Sequence, residues 1–359
     1  MITQPESKVP AEGTEQASAR ADRLVLGYPA RKLTRPVTVL VAVIAFQLLF
    51  ASVFLGVLHQ PAFHHTPVAV TGSPRLAVVL ARQERGAIDL LPQPTAAAAQ
   101  AAIYDGRAYG AIVGGRRGTT LLIASAASPG TASLLTRQLT KDATVTGTPL
   151  LVRDLAPLPA SDPTGISVYF LIIAWMLGGY VGATALSLMM GGPRSSRLRD
   201  VILRLALLAG YATASGFLGA AIIGPGLGIV HGYSTWLAGC GVLLVFASGA
   251  ATAGLQAALG LPGTLIAIVG MVVFGNPTAG TSIATPLLAS PWDVLGQLLP
   301  PGAALSLARN IVYHVDIDIT RPLVVLSVYA LGGALIMAGT ALIRQRKAVG
   351  RAAGITSTG

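Results

Sequence analysis

Charge is what this sequence has least of. Only 11% of its 359 residues are charged, where a soluble globular protein carries roughly 25%. So few charges cannot cover a water-facing surface, which argues for lipid as the solvent. Between Pro163 and Trp292 every Lys, Arg, Asp and Glu falls in one run, Gly191–Arg204, which holds Arg194, Arg197, Arg199, Asp200 and Arg204. Cysteine is almost absent as well. The one residue, Cys240, permits no intramolecular disulfide and no Cys-based metal site. GxxxxGK[ST] does not occur, so this chain has no phosphate-cradling loop of its own, and without HExxH zincin-type proteolysis is unsupported. Net charge is +11, but the basic residues cluster beside apolar spans instead of interleaving with aromatics, which excludes a nucleic-acid face.

What the chain does have is long apolar runs, set out between basic clusters. Residues 1–36 are polar, and Arg20–Leu33 reads as a short elbow at the inner interface, with Pro29 limiting its helix. Val37–Leu58 (residues 37–58) is uncharged and long enough to cross ~30 Å of hydrocarbon, so it reads as a signal anchor with the N-terminus inside. Residues 59–163 alone have soluble-domain composition. Within them Arg75–Leu80, Tyr109–Val113 and Thr119–Ala124 read as strands. Pro94–Tyr104 and Ser128–Leu139 read as helices, Ser128 as a cap, and Pro149–Val152 opens a final extended piece. This alternation predicts a small α/β domain, placed outside by the preceding span.

Residues 164–343 follow as a five-helix membrane domain. Its spans are Ile166–Met190, Val201–Ile223, Trp236–Leu259, a fifth segment around Thr264–Phe274, and Pro322–Ile343. The fifth is too short alone: with Leu261, Pro262 and Gly275–Ala279 it just crosses, otherwise it is re-entrant. Residues 275–321 are broken by Pro277, Pro286, Pro291, Pro300 and Pro301, yet remain largely apolar, which predicts short helices dipping into the outer leaflet. Residues 344–359 form a basic cytoplasmic tail. The predicted fold is thus an α-helical integral membrane protein of about six transmembrane helices, with a small α/β extracytoplasmic domain between the first and second. Excess arginine in Gly191–Arg204 puts that loop, and both termini, on the cytoplasmic side of the cell membrane.

Candidate chemistry inside the spans is sparse. The GxxxG pairs Gly178–Gly182 and Gly224–Gly228 read as helix packing. Ser215 with His231 makes a poor intramembrane serine dyad, because Thr213 stands where the glycine of rhomboid-like sites is expected. His59, His64 and His65 are expected to have no Cys or carboxylate near them and read as juxtamembrane loop residues. No Asp, Glu or Lys stands in the core of any span, which argues against ion-coupled transport, and Arg204 near a helix end is placed to snorkel.

Two sets of residues look familiar. One is Asp154-Leu155-Ala156-Pro157-Leu158-Pro159 followed by Asp162-Pro163-Thr164-Gly165 at the entry to a span. The other is Gly275-Asn276-Pro277 with Leu299-Pro300-Pro301-Gly302-Ala303 before the last span. Together, over roughly His59 to Ile343, they resemble the membrane proteins grouped with type-2 ABC exporter permeases and the related phage-infection-protein-like family. The resemblance implies a non-enzymatic permease half that pairs with itself or a sister permease and moves a hydrophobic or amphipathic substrate outward. A separate cytoplasmic ATP-binding subunit would dock on Arg194, Arg197, Arg199, Asp200 and Arg204, unless that loop only sets topology. Asn276, Pro277, Pro300, Pro301 and Gly302 would form an outer gate. No catalytic residue, metal or cofactor is expected of the chain, and its other contact is membrane lipid. The competing reading is a receptor or scaffold whose extracytoplasmic domain binds a ligand, envelope polymer or protein.

Overall fold

Helices account for most of the chain in the computed structural model, which describes residues 38, 41, 44–55, 63–72, 75–83, 87–115, 118–195, 197–232, 234–280, 287–288, 291–313 and 319–356. Residues 1–52 and 53–359 form two units. In the first, little is described beyond the start of an apolar helix, α1 (Ile44–Leu55); the polar leader, its elbow and much of the predicted 37–58 span lie outside the described residues.

A five-stranded sheet follows, of order β2-β1-β3-β4-β5. Its strands are β1 (Thr66–Thr71), β2 (Ile88–Pro92), β3 (Gly110–Gly115), β4 (Gly118–Ile123) and β5 (Leu150–Asp154), and its helices α2 (Arg75–Gln83), α3 (Ala96–Tyr104) and α4 (Pro129–Thr146). β1 runs parallel to β2 and β3, the β3–β4 hairpin is antiparallel, and β5 is parallel to β4. One correction follows directly. Arg75–Leu80, expected as a strand, is the first part of α2. Parallel β1 and β2 need a crossover between them, which a hairpin cannot supply. Ala77 and Leu80, three apart, turn inward while Val78 is 49% exposed, a helical spacing that the adjacent valines disguised.

Successive strand residues serve opposite faces. Val68, Ile112 and Leu121 pack with Leu80, Leu135 and Leu139, whereas Ala69, Ala111 and Leu122 pack with Ala99 and Ala102. The larger core also takes in Leu287, from the stretch before the last helices. Tyr109, at the start of β3, lies beside Arg309; burial pushes its phenol above the ordinary range, and the guanidinium acts the other way. The sheet's core is thereby continuous with the chain of the helical part at Leu287.

Two aspartates carry the chain from sheet to bundle. Asp154 accepts from the Ser125 and Ala156 amides at 3.1 Å each and from the Ser125 hydroxyl. Buried Asp162 accepts from the Ser167 amide at 2.9 Å and the Ile166 amide at 3.3 Å, satisfying N–H groups that a helix start leaves open. There α5 (Ser167–Met189) begins.

The bundle consists of α5, α6 (Leu198–Ala221, continuing as a π turn to Gly226), α7 (Ser234–Leu259), α8 (Leu261–Thr278), α9 (Trp292–Leu298), α10 (Pro300–Tyr313) and α11 (Thr320–Thr356). Five of these helices are long and apolar enough to cross a membrane: α5, α6, α7, α8 and α11. The fifth predicted segment is therefore a continuous helix of 18 residues. It winds as a π-helix over Val269–Gly275, directly before Pro277, and α6 does the same over Ile222–Gly226 around Pro225. In both places the wider winding falls at a ring that has no N–H to give and that meets the carbonyl four residues back in α geometry. α7 is central: Trp175 of α5 is 2% exposed and lies in the core with Leu237, Leu244 and Ala304, and its Nε1 donates to the Ser215 carbonyl at 3.0 Å.

Candidate functional site

α5 is 23 residues long, so its far end lies about 35 Å from the sheet connector at 1.5 Å per residue. The basic run Gly191–Arg204 begins there. Gly191 and Gly192, at φ +81° and +107°, take the left-handed turn that ends α5 and sends the chain toward α6.

Two arginines fix this turn through its backbone. The Nη2 of Arg204 donates to the carbonyls of Met190 at 3.1 Å and Gly192 at 2.5 Å. Arg344, on α11, donates from Nη1 to the Ser195 carbonyl at 3.3 Å and from Nη2 to that of Ala257 at the end of α7. Helix ends leave carbonyls without intrahelical partners, and charged donors are strong partners for them. The loop is thereby tied to α6, α7 and α11 together. Arg194 lies over Gly260, the residue between α7 and α8: a Cβ there would stand 3.1 Å from its Nη2.

The expected docking residues divide accordingly. Arg194, Arg197 and Arg199 are exposed. Asp200 is half-buried in the first turn of α6, where its charge suits the positive end of the helix dipole. Arg204 is only 7% exposed and braces the loop from within. It stands one helical turn further into α6, where the bundle closes round it.

Elsewhere the predicted residues have local partners. Gly178 and Gly182 form the seat for Tyr211 of α6, each with a hypothetical Cβ 2.8 Å from that side chain; they pack helices within the chain. Gly224 and Gly228 do not act as such a pair. Gly224 lies in the π turn and Gly228 beyond it at φ +64°, with open space where a Cβ would go. Close helix approaches also occur at glycines that no spacing rule singled out. Gly179 meets Val245 and Ser248, and Gly254 meets the Gly333 backbone.

Asn276, Pro277, Pro300, Pro301 and Gly302 are all buried. Gly275 meets Pro301, Gly296 meets the Thr278 carbonyl, and Gly302 meets Gly296 and Ala279. α10 also touches α7, where the Cys240 thiol lies 3.6 Å from the Ala304 carbonyl. Arg309 of α10 donates to the Gly280 carbonyl at 2.6 Å, so α8, α9 and α10 are interlocked on the sheet side of the bundle. Of the juxtamembrane histidines, His65 approaches Asp89 at 3.4 Å on the surface, while His59 lies outside the described residues.

No protein-family model, curated protein or solved structure matches the chain.

Proposed function

We propose that this chain is the permease subunit of an ABC-type exporter in the cell membrane, powered by a separate cytoplasmic ATPase. The observation that carries the reading is the turn after α5. Its backbone is held to three helices by Arg204 and Arg344, while Arg194, Arg197 and Arg199 point outward. A loop that transmits force needs both properties: a charged outer surface for a partner, and a stiff connection to the spans it moves. A loop that only sets topology needs neither brace.

In this account α1 and the five longer helices make six crossings, with both termini cytoplasmic and the sheet outside. Two copies, or this chain and a sister permease, face each other. Closure of the ATPase dimer pushes on Arg197 and Arg199, α5 and α6 tilt together with α7 and α11, and a cavity between subunits opens outward. The interlocked turn around Asn276–Pro277 and Pro300-Pro301-Gly302 closes it again. Spans whose cores hold no Asp, Glu or Lys suit a hydrophobic or amphipathic substrate and leave the energy to ATP. The chain contributes no catalytic residue, metal or cofactor of its own.

The competing reading, a membrane receptor or scaffold, draws on an open groove at the carboxyl ends of β4 and β5. Ser125, Pro129, Arg137, Asp154, Leu158 and Pro163 line it, and this end of a sheet is a common ligand position. The two readings separate in a gentle-detergent pull-down of the intact chain and of an Arg194→Ala, Arg197→Ala, Arg199→Ala variant. The exporter reading expects an identified ATP-binding protein with the intact chain and its loss with the variant. Absence of any ATPase from both, with the chain folded, moves the account to the groove.

A further inference from the structure

Among the described residues, six side-chain atoms are buried without a hydrogen-bond partner, and three of them lie together: Ser187 Oγ, Arg204 Nε and Gln256 Oε1. Their residues come from α5, α6 and α7, and are 5%, 7% and 2% exposed. All three line the same small cavity, about 10 Å³, together with Leu208 and Met337. An orphaned buried donor or acceptor costs about 1–3 kcal/mol, more when charged, so three at one point call for a common partner. We propose that the cavity holds one structural water molecule, bridging Ser187, Arg204 and Gln256.

The donor and acceptor pattern specifies the occupant. The Thr184 hydroxyl spends its one proton on the Tyr180 carbonyl, at 2.8 Å. It can then only accept from Gln256, whose amide nitrogen lies 2.9 Å from it and 2.8 Å from the Thr264 hydroxyl. The amide is therefore fixed with its oxygen toward the cavity, which settles an orientation that side-chain shape alone leaves open. A lone pair of Gln256 repels an anion at that place, and the Arg204 N–H repels a cation. The occupant must accept from Arg204, donate to Gln256 and exchange a hydrogen bond with Ser187. Water does all three. The space is close to the smallest that holds one molecule, and polar cavities of this kind fill where apolar ones stay dry.

The bridge also completes the brace at the far end of the bundle. Arg204 holds the Met190–Gly192 turn with Nη2, and the water links its Nε–H to α7 and α5. The inference stands on these atoms and is independent of the exporter reading.

Radiolytic hydroxyl labelling of the full chain in detergent tests it, because radicals formed from a bound water oxidise the side chains beside it. Met337, on the cavity wall and 3% exposed, is compared with Met176 and Met271, at 1% and 3% exposed and away from the cavity. The expected result is oxidation of Met337 several-fold faster than of the two controls. Filling the cavity with Ser187→Val, or with Ala253→Val, which removes no polar partner, lowers Met337 to the control rate. If Met337 in the unaltered chain is as slow as the controls, the cavity is dry and the proposal fails. If it is fast but unaffected by either filling variant in folded protein, the radicals come from bulk solvent and the proposal fails equally.

Discussion

Arg197 and Arg204 belong to one basic run, and the fold gives them opposite tasks. One is exposed at the start of α6; the other is buried and bonded to the Met190 and Gly192 carbonyls. Replacing Arg204 by Met removes charge-assisted bonds and strands two carbonyls, at a cost of about 2–3 kcal/mol. Thermal unfolding in detergent is expected at a clearly lower midpoint. Arg197→Ala and Arg199→Ala are expected to leave the midpoint in place, since both side chains are exposed and neither guanidinium braces the loop among the described residues. Equal losses from all three would show that the loop is not held through Arg204. Asp162 is a second position with a definite local role. Asp162→Ala takes away the acceptor for the Ser167 and Ile166 amides, costing about 1 kcal/mol, whereas Asp162→Asn keeps an acceptor oxygen and most of the stability. In the sequence the Asp-Pro-Thr-Gly string stands out only as a family-like motif.

Among elements, backbone contact decides what glycine substitutions do. A Cβ on Gly254 would meet the Gly333 carbonyl oxygen at 2.7 Å and its Cα at 2.9 Å, whereas one on Gly178 meets the end of the Tyr211 side chain. α7 and α11 cannot part without losing their contact, but a tyrosine ring can shift. Gly254→Ala is accordingly expected to cost about 1–3 kcal/mol through overpacking, and Gly178→Ala less, as read from the order of their unfolding midpoints. The reverse order would place the critical seam between α5 and α6. The apolar length of α5, α6, α7 and α11 was plain in the sequence because nothing in it competes with a span. Other elements were hidden. β1 is hidden because a parallel strand buried in a sheet lacks the alternation that marks exposed ones, and the adjacent valines give α2 the look of a strand. α8 looked too short because its prolines and glycines conceal a π turn that continues the helix. Gly254 and Gly333 were lost among 42 glycines; only the paired helices show which of them touch.

For the whole molecule, the account assigns the sheet and the far-end loop to opposite sides of the membrane. Cys240, the one native thiol, is buried, so single introduced cysteines report cleanly. Arg107→Cys, on the exposed α3–β3 turn, is expected to react with an impermeant maleimide in intact cells. Arg346→Cys, exposed near the end of α11, is expected to react only after permeabilisation. The opposite pattern would invert the topology and remove the loop from the cytoplasm. The brace itself joins residues far apart in the chain: Arg344 reaches Ser195 and Ala257, and no local pattern announces that. The most direct test of the exporter account uses Leu198→Cys, an exposed position between Arg197 and Arg199 that leaves every arginine in place. A short thiol cross-linker is applied in native membranes, with and without ATP, and the product is identified by mass. The account predicts a cross-link to an ATP-binding protein whose yield changes with nucleotide. A thiol that maleimide labels freely, yet that captures no ATP-binding protein in either condition, would contradict it.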